Sequence, residues 1–118
     1  MFKFGAPVQP TAMDEAVDRA TDELLIAPDW GINMEICDEI TRSSAAADAC
    51  RAIRRRMLHK NTKVALLALT LLEAAMKNCP DEFHRQVAAK DFQADLVKVA
   101  TAKGEPAERA LTLIESFA

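Results

Sequence analysis

The chain has 118 residues, half of them hydrophobic, which is enough for one domain with a continuous core and too few for two. Tyrosine is absent, other aromatics are scarce, and Gly and Pro are few, so helix formers dominate and an all-α fold is predicted. The formal net charge of -3 argues against general nucleic-acid binding, which needs a basic surface to neutralise phosphates.

In chain order, residues 1–12 read as an N-terminal extension. Thr11 and Asp14 form a capping pattern for a first helix from Met13 to Leu25, with Val17, Ala20, Leu24 and Leu25 on its apolar face. The "APD" stretch breaks the chain, and Asp29 is placed to cap a second helix from Trp30 to Thr41. Ser44 is expected to cap a third, Ala45 to Leu58, with a core row of Ala46, Ala49, Cys50, Ile53 and Met57. Asn61 caps "TKVALLALTLLEAAMKNC", apolar on nearly every side, so this helix must be central. Pro80 suits the first turn of a fifth helix carrying Phe83 and Val87, and Asp91 is expected to cap a sixth with Phe92, Leu96 and Val99. Gly104 and Pro106 separate that helix from a seventh, which holds Leu111, Leu113, Ile114 and Phe117. Short connections imply antiparallel neighbours stacked as hairpins or as a superhelix.

Cys37, Cys50 and Cys79 are odd in number and lack close spacing, so they read as small buried hydrophobes in a reducing compartment. With no signal-peptide pattern and no run of membrane-spanning length, a cytosolic location is expected. His59 and His84 lie in no nucleophile motif and no glycine-rich phosphate loop is present, so the sequence implies no enzyme, cofactor or metal.

Two surface features stand out. On the second helix, Ile32, Ile36 and Ile40 centre about 240° around the axis from Trp30, whereas Met34 lies only about 40° away. Trp30 and Met34 therefore face away from the isoleucine row, and Gly31 lowers the surface beside them. The indole either folds over a neighbouring helix as an edge packing residue or is offered to a partner. The second feature is "RAIRRRMLHKNTK", whose Arg51, Arg54, Arg55, Arg56, Lys60 and Lys63 have no acid among them. It is either a cationic ledge for anionic lipid or an acidic partner, or a solvated face favoured by the helix dipole.

The motif order "VDRATDELLIAPDWGINMEICDEI", "HKNTKVALLALTLLEAAMKNC", "FHRQVAAKDFQADLVKV" and "RALTLIESF" resembles the VHS domain of endosomal sorting proteins, in particular the target-of-Myb-like group, over Met13 to Ala118. The resemblance implies a right-handed superhelix of stacked helices, of the VHS/ENTH kind, with eight members. The chain stops in or just after the seventh, so a C-terminally truncated VHS domain over 13–118 is expected, with the eighth helix absent. It also implies a cargo-recognition module, cytoplasmic and peripheral on endosome or trans-Golgi membranes, that binds ubiquitin or ubiquitinated cargo weakly through Trp30 and Met34, with Asn33 joining the contact. A subset of the family instead binds acidic dileucine signals through basic residues entering helix six. Here Lys90 is followed by Asp91, whose charge would repel such a signal, so that partner is not expected. Two further readings stay open: a phosphoinositide or anionic-membrane module using Arg51, Arg54, Arg55 and Lys60, and a structural protein-interaction domain.

Overall fold

The computed structural model describes residues 10–102 and 104–117; most of the expected N-terminal extension, and the side chain of Phe117, lie outside the described residues. Seven helices and no strands occur among them: α1 (Ala12–Ala20), α2 (Trp30–Ser43), α3 (Ala46–Met57), α4 (Thr62–Asn78), α5 (Asp81–Ala88), α6 (Lys90–Ala100) and α7 (Glu105–Phe117). Most starts follow from local chemistry. The Thr11 hydroxyl accepts the Asp14 amide at 3.0 Å while the Asp14 carboxylate accepts that of Thr11 at 2.9 Å, a reciprocal cap that satisfies two orphan donors. Asn61 Oδ1 accepts the amides of Lys63 and Val64 at the start of α4. Gly104, with φ at 101°, makes the left-handed turn into α7.

Three expected boundaries move. The first helix ends at Ala20, because the guanidinium of Arg56 donates from Nε to the Thr21 hydroxyl at 2.8 Å and from Nη2 to the Thr21 carbonyl at 3.2 Å. That carbonyl is thereby satisfied from α3 rather than by another helical turn. Ser44 does not cap α3; it closes α2 in the left-handed conformation with φ at 58°, and Ala45 occupies the α3 cap position without a side-chain bond. Asp91 likewise sits inside the first turn of α6, where the dipole favours its charge, and Ala89 takes the cap position.

Helix α4 is the hub. Its buried residues run from Val64 through Leu67, Leu69, Leu71 and Leu72 to Ala75, covering all sides, and it packs against α1, α2, α3, α5 and α7. The remaining helices close around it through α1–α3 and α6–α7 contacts. Val17, Ile36, Ile40, Ile53, Met57, Phe83 and Leu96 are fully buried, so the expected α3 row and the inner face of α2 are core. On α7 the inner face is made by Ala107, Ala110 and Leu113; Ile114 is half-buried and Leu111 is exposed, since small alanines allow the close approach to α4 and α6.

Ion pairs tie distant helices, among them Arg54 on α3 to the buried Asp95 on α6, and Arg109 on α7 to Glu73 on α4 at 2.6 Å. The guanidiniums of Arg54 and Arg109 hold these carboxylates below the usual range. Each then contributes stability that is complete above the unfolded-state pKa of about 4 and is lost as the pH falls through the lower folded-state value. The melting temperature is therefore expected to decline on acidification below about pH 4, and Asp95→Asn should melt several degrees lower at neutral pH with a shallower acid decline. Thermal melts followed by circular dichroism across pH check both.

Candidate functional site

The site is assembled at the start of α2. Asp29 Oδ1 accepts the Ile32 amide at 3.0 Å, fixing the first turn and with it the directions of Trp30 and Met34. Trp30 is 56 % exposed and Met34 39 %, one turn apart. Gly31 between them is also exposed, and a Cβ there would stand 3.3 Å from Asp29 Oδ1, tight against the cap itself. The nearby groove between α1 and α2, about 660 Å³, is lined by Met13, Ala16, Glu35, Ile36 and Asp38 among others, and by neither Trp30 nor Met34. The apolar pair thus forms part of an open surface suited to a macromolecule rather than a pocket for a small ligand.

Asn33, expected to join the contact, is instead 1 % exposed, and its Oδ1 has no hydrogen-bond partner. The cause lies in the helical wheel. Asn33, Ile36, Cys37 and Ile40 are all buried, so the inward direction of α2 falls about 290° from Trp30, with Asn33 at about 300° near its centre. Trp30 and Met34 then flank the buried arc on its outer side, in the order the isoleucine row suggested.

Leu24 and Ile26 are 84 % and 98 % exposed on the turn between α1 and α2, and sequence reasoning missed them as surface. Read as a continuation of the first helix, Leu24 belonged to an apolar face. The "APD" break just after Ile26 was the available signal that this stretch leaves the helix.

The basic run behaves differently from its sequence. Arg51 pairs with Asp48 at 2.7 Å, Arg54 with Asp95, and Arg55 with Asp18 at 2.8 Å, while Arg56 clamps Thr21. The acids missing from the run are supplied by α1, by α6 and by the first turn of α3. Lys60, Arg51 and Arg55 remain exposed, the last two in solvent-facing ion pairs, whereas Arg54 and Arg56 are half-buried and tied into the fold.

Both histidines serve local structure: His59 Nδ1 accepts the Asn61 amide at 3.0 Å, and His84 Nε2 donates to the Met76 carbonyl at 2.7 Å. The three cysteines are free and buried. Burial raises the pKa of Cys37 and pushes Cys50 and Cys79 up to about 12, so these thiols stay protonated at neutral pH. Among the described residues no cluster of His, Cys, Asp and Glu could hold a metal ion, and no helix is long and apolar enough to cross a membrane.

Helical hairpins stacked around a buried central helix, with an aromatic–methionine pair offered on α2, define an all-α superhelical domain with a surface suited to protein contact. The VHS domain family model matches residues 7–118, and the chain belongs to that family. It is 43 % identical over 105 residues to TOM1-like protein 6 of Arabidopsis thaliana, covering 86 % of this chain and 16 % of that protein. It is 40 % identical over 124 residues to the Target of Myb1 membrane trafficking protein of Gallus gallus, covering 99 % of this chain and 24 % of that protein. The chain thus spans a quarter or less of the length of these relatives. The crystal structure of the VHS and FYVE tandem domains of Hrs, a protein involved in membrane trafficking and signal transduction, superposes with a TM-score of 0.74 at 26 % identity, over 85 % of this chain and 46 % of that one.

Proposed function

We propose that this domain is the cargo-recognition module of a trafficking adaptor and that it binds ubiquitin weakly through the exposed side of α2, acting at the cytoplasmic face of endosome or trans-Golgi membranes. The observation that carries the reading is the pair Trp30 and Met34, exposed one turn apart on a helix start locked by Asp29. An aromatic anchor with an adjacent flexible apolar side chain is the composition that small interfaces use. The names of the relatives, which refer to membrane trafficking, support the setting. A two-anchor surface gives low affinity alone, and multivalent cargo would raise it by avidity. The reading assigns the domain no catalytic step. Of the arginines that a lipid-binding reading would need, Arg54 is held by the buried Asp95, while Arg51 and Arg55 have their charge partly offset by Asp48 and Asp18, which weakens that reading.

The test uses the sole indole. Ubiquitin has no tryptophan, so its addition should shift Trp30 emission to the blue in a saturable way. Met34→Asp should remove the shift with the melting curve unchanged, and Trp30→Ala should remove the amide chemical-shift changes seen on titration of the labelled domain. Absence of any saturable response, or shift changes centred on Arg51 to Lys60, would overturn the assignment.

A further inference from the structure

Between α1 and α2 the chain places two large aliphatic side chains in water, and the turn that does so is tightly built. Asp22 Oδ1 accepts the Leu24 amide at 2.8 Å, and the Leu25 amide donates to the Asp22 carbonyl at 3.0 Å. At the root, Thr21 is fully buried under Arg56; at the far end, Pro28 precedes the Asp29 cap. Leu25 is half-buried, while Leu24 on one side of it and Ile26 on the other are exposed. A turn hydrogen-bonded within itself, held at its root by Arg56 and followed by a capped helix start, holds its exposed groups ready for a partner at little ordering cost.

Three residues separate Ile26 from Trp30, so their Cα atoms, four steps of chain apart, lie within about 14 Å, inside the footprint of one protein partner. The chain around these groups is acidic, and Arg56, the cation at the root of the turn, is engaged there by Thr21. Asp22, Glu23, Asp29, Glu35 and Asp38 flank these apolar groups, and no Lys, Arg or His occurs from Asp22 to Thr41. An acidic rim repels anionic headgroups, which argues for a protein over a membrane, and it complements a cationic fringe.

We propose that Leu24 and Ile26 form a second anchor of the surface begun by Trp30 and Met34, engaging the same partner, whose apolar patch is fringed by cations. This deepens the ubiquitin reading and rests on it. The α2 pair alone is small for a specific interface, and the turn adds two further apolar anchors.

The experiment titrates ubiquitin by calorimetry, at low and high salt, into the wild-type chain, Met34→Asp, and the double variant Leu24→Ser/Ile26→Ser. Serines at such exposed positions leave the fold intact, as superimposable melting curves will show. The double variant is expected to bind at least about tenfold more weakly, and wild-type affinity should fall as salt screens the acidic rim. If the wild type binds, Met34→Asp does not, and the double variant matches the wild type, the second anchor is overturned while the ubiquitin reading stands. If the wild type does not bind, both fall. Sedimentation of the chain with phosphatidylcholine vesicles that is lost in the double variant would assign the turn to a membrane and overturn the proposal as well.

Discussion

Asn33→Asp is expected to unfold or nearly unfold the domain, while the same substitution one residue later, Met34→Asp, leaves its stability within about 0.5 kcal/mol of wild type. Position 33 is 1 % exposed at the centre of the buried arc of α2, and position 34 is 39 % exposed on its outer flank. A carboxylate at position 33 would lose its hydration in a place where Asn33 Oδ1 already lacks a partner, and an uncompensated buried charge costs about 3–5 kcal/mol. The buried acid would titrate above its unfolded-state value. Its deficit should therefore narrow as the pH falls and the group is held neutral, opposite in sign to the acid sensitivity that Asp95 and Glu73 give the wild type. Asn33→Leu should be close to neutral or stabilising, because no hydrogen bond to Oδ1 is lost and no charge is created. Urea denaturation of the three variants at two pH values checks all of these; a normally folded Asn33→Asp would place residue 33 on the surface and restore it to the contact.

Phe83→Ala should cost about 3–5 kcal/mol, the range for deleting a buried ring whose cavity cannot collapse. Phe83 is fully buried, and with Val87 it is one of only two buried residues of α5. That helix has eight residues and no side-chain cap, too short to persist on its own propensity, so it is held by packing on α3, α4 and α6. The expected result is a lower urea midpoint with an unchanged slope, showing lost stability without a change in the surface exposed on unfolding. Phe83→Leu should retain most of the stability, because volume rather than aromaticity is what α5 supplies there.

What could be read from the chain and what could not divide by the range of the interaction. The caps by Thr11, Asp29 and Asn61, the turn at Gly104 and the all-round apolar α4 depend on residues within a turn of each other, and all appear where the pattern placed them. The end of α1 was set by Arg56, thirty-five positions away, and no local signal carries that. The same range explains the basic run. It had no acid in sequence, yet Asp18 and Asp95 reach it across helix packing. At the candidate site, the outward direction of Trp30 and Met34 was legible from angular spacing. Asn33 was misplaced because a polar side chain near the centre of an apolar arc defies the pattern on which such readings rest.

The position of α4 has a consequence for how the domain fails. Superhelices built from repeats are quasi-one-dimensional: each unit touches only its neighbours, and ends can fray while the middle survives. Here one helix contacts five others, joining the first hairpin to the last, so no outer pair can detach without uncovering it. Loss of any one layer exposes the apolar flank of α4, and the molecule has no folded intermediate that keeps that surface dry. The amides of α4 should consequently exchange with solvent only through global unfolding.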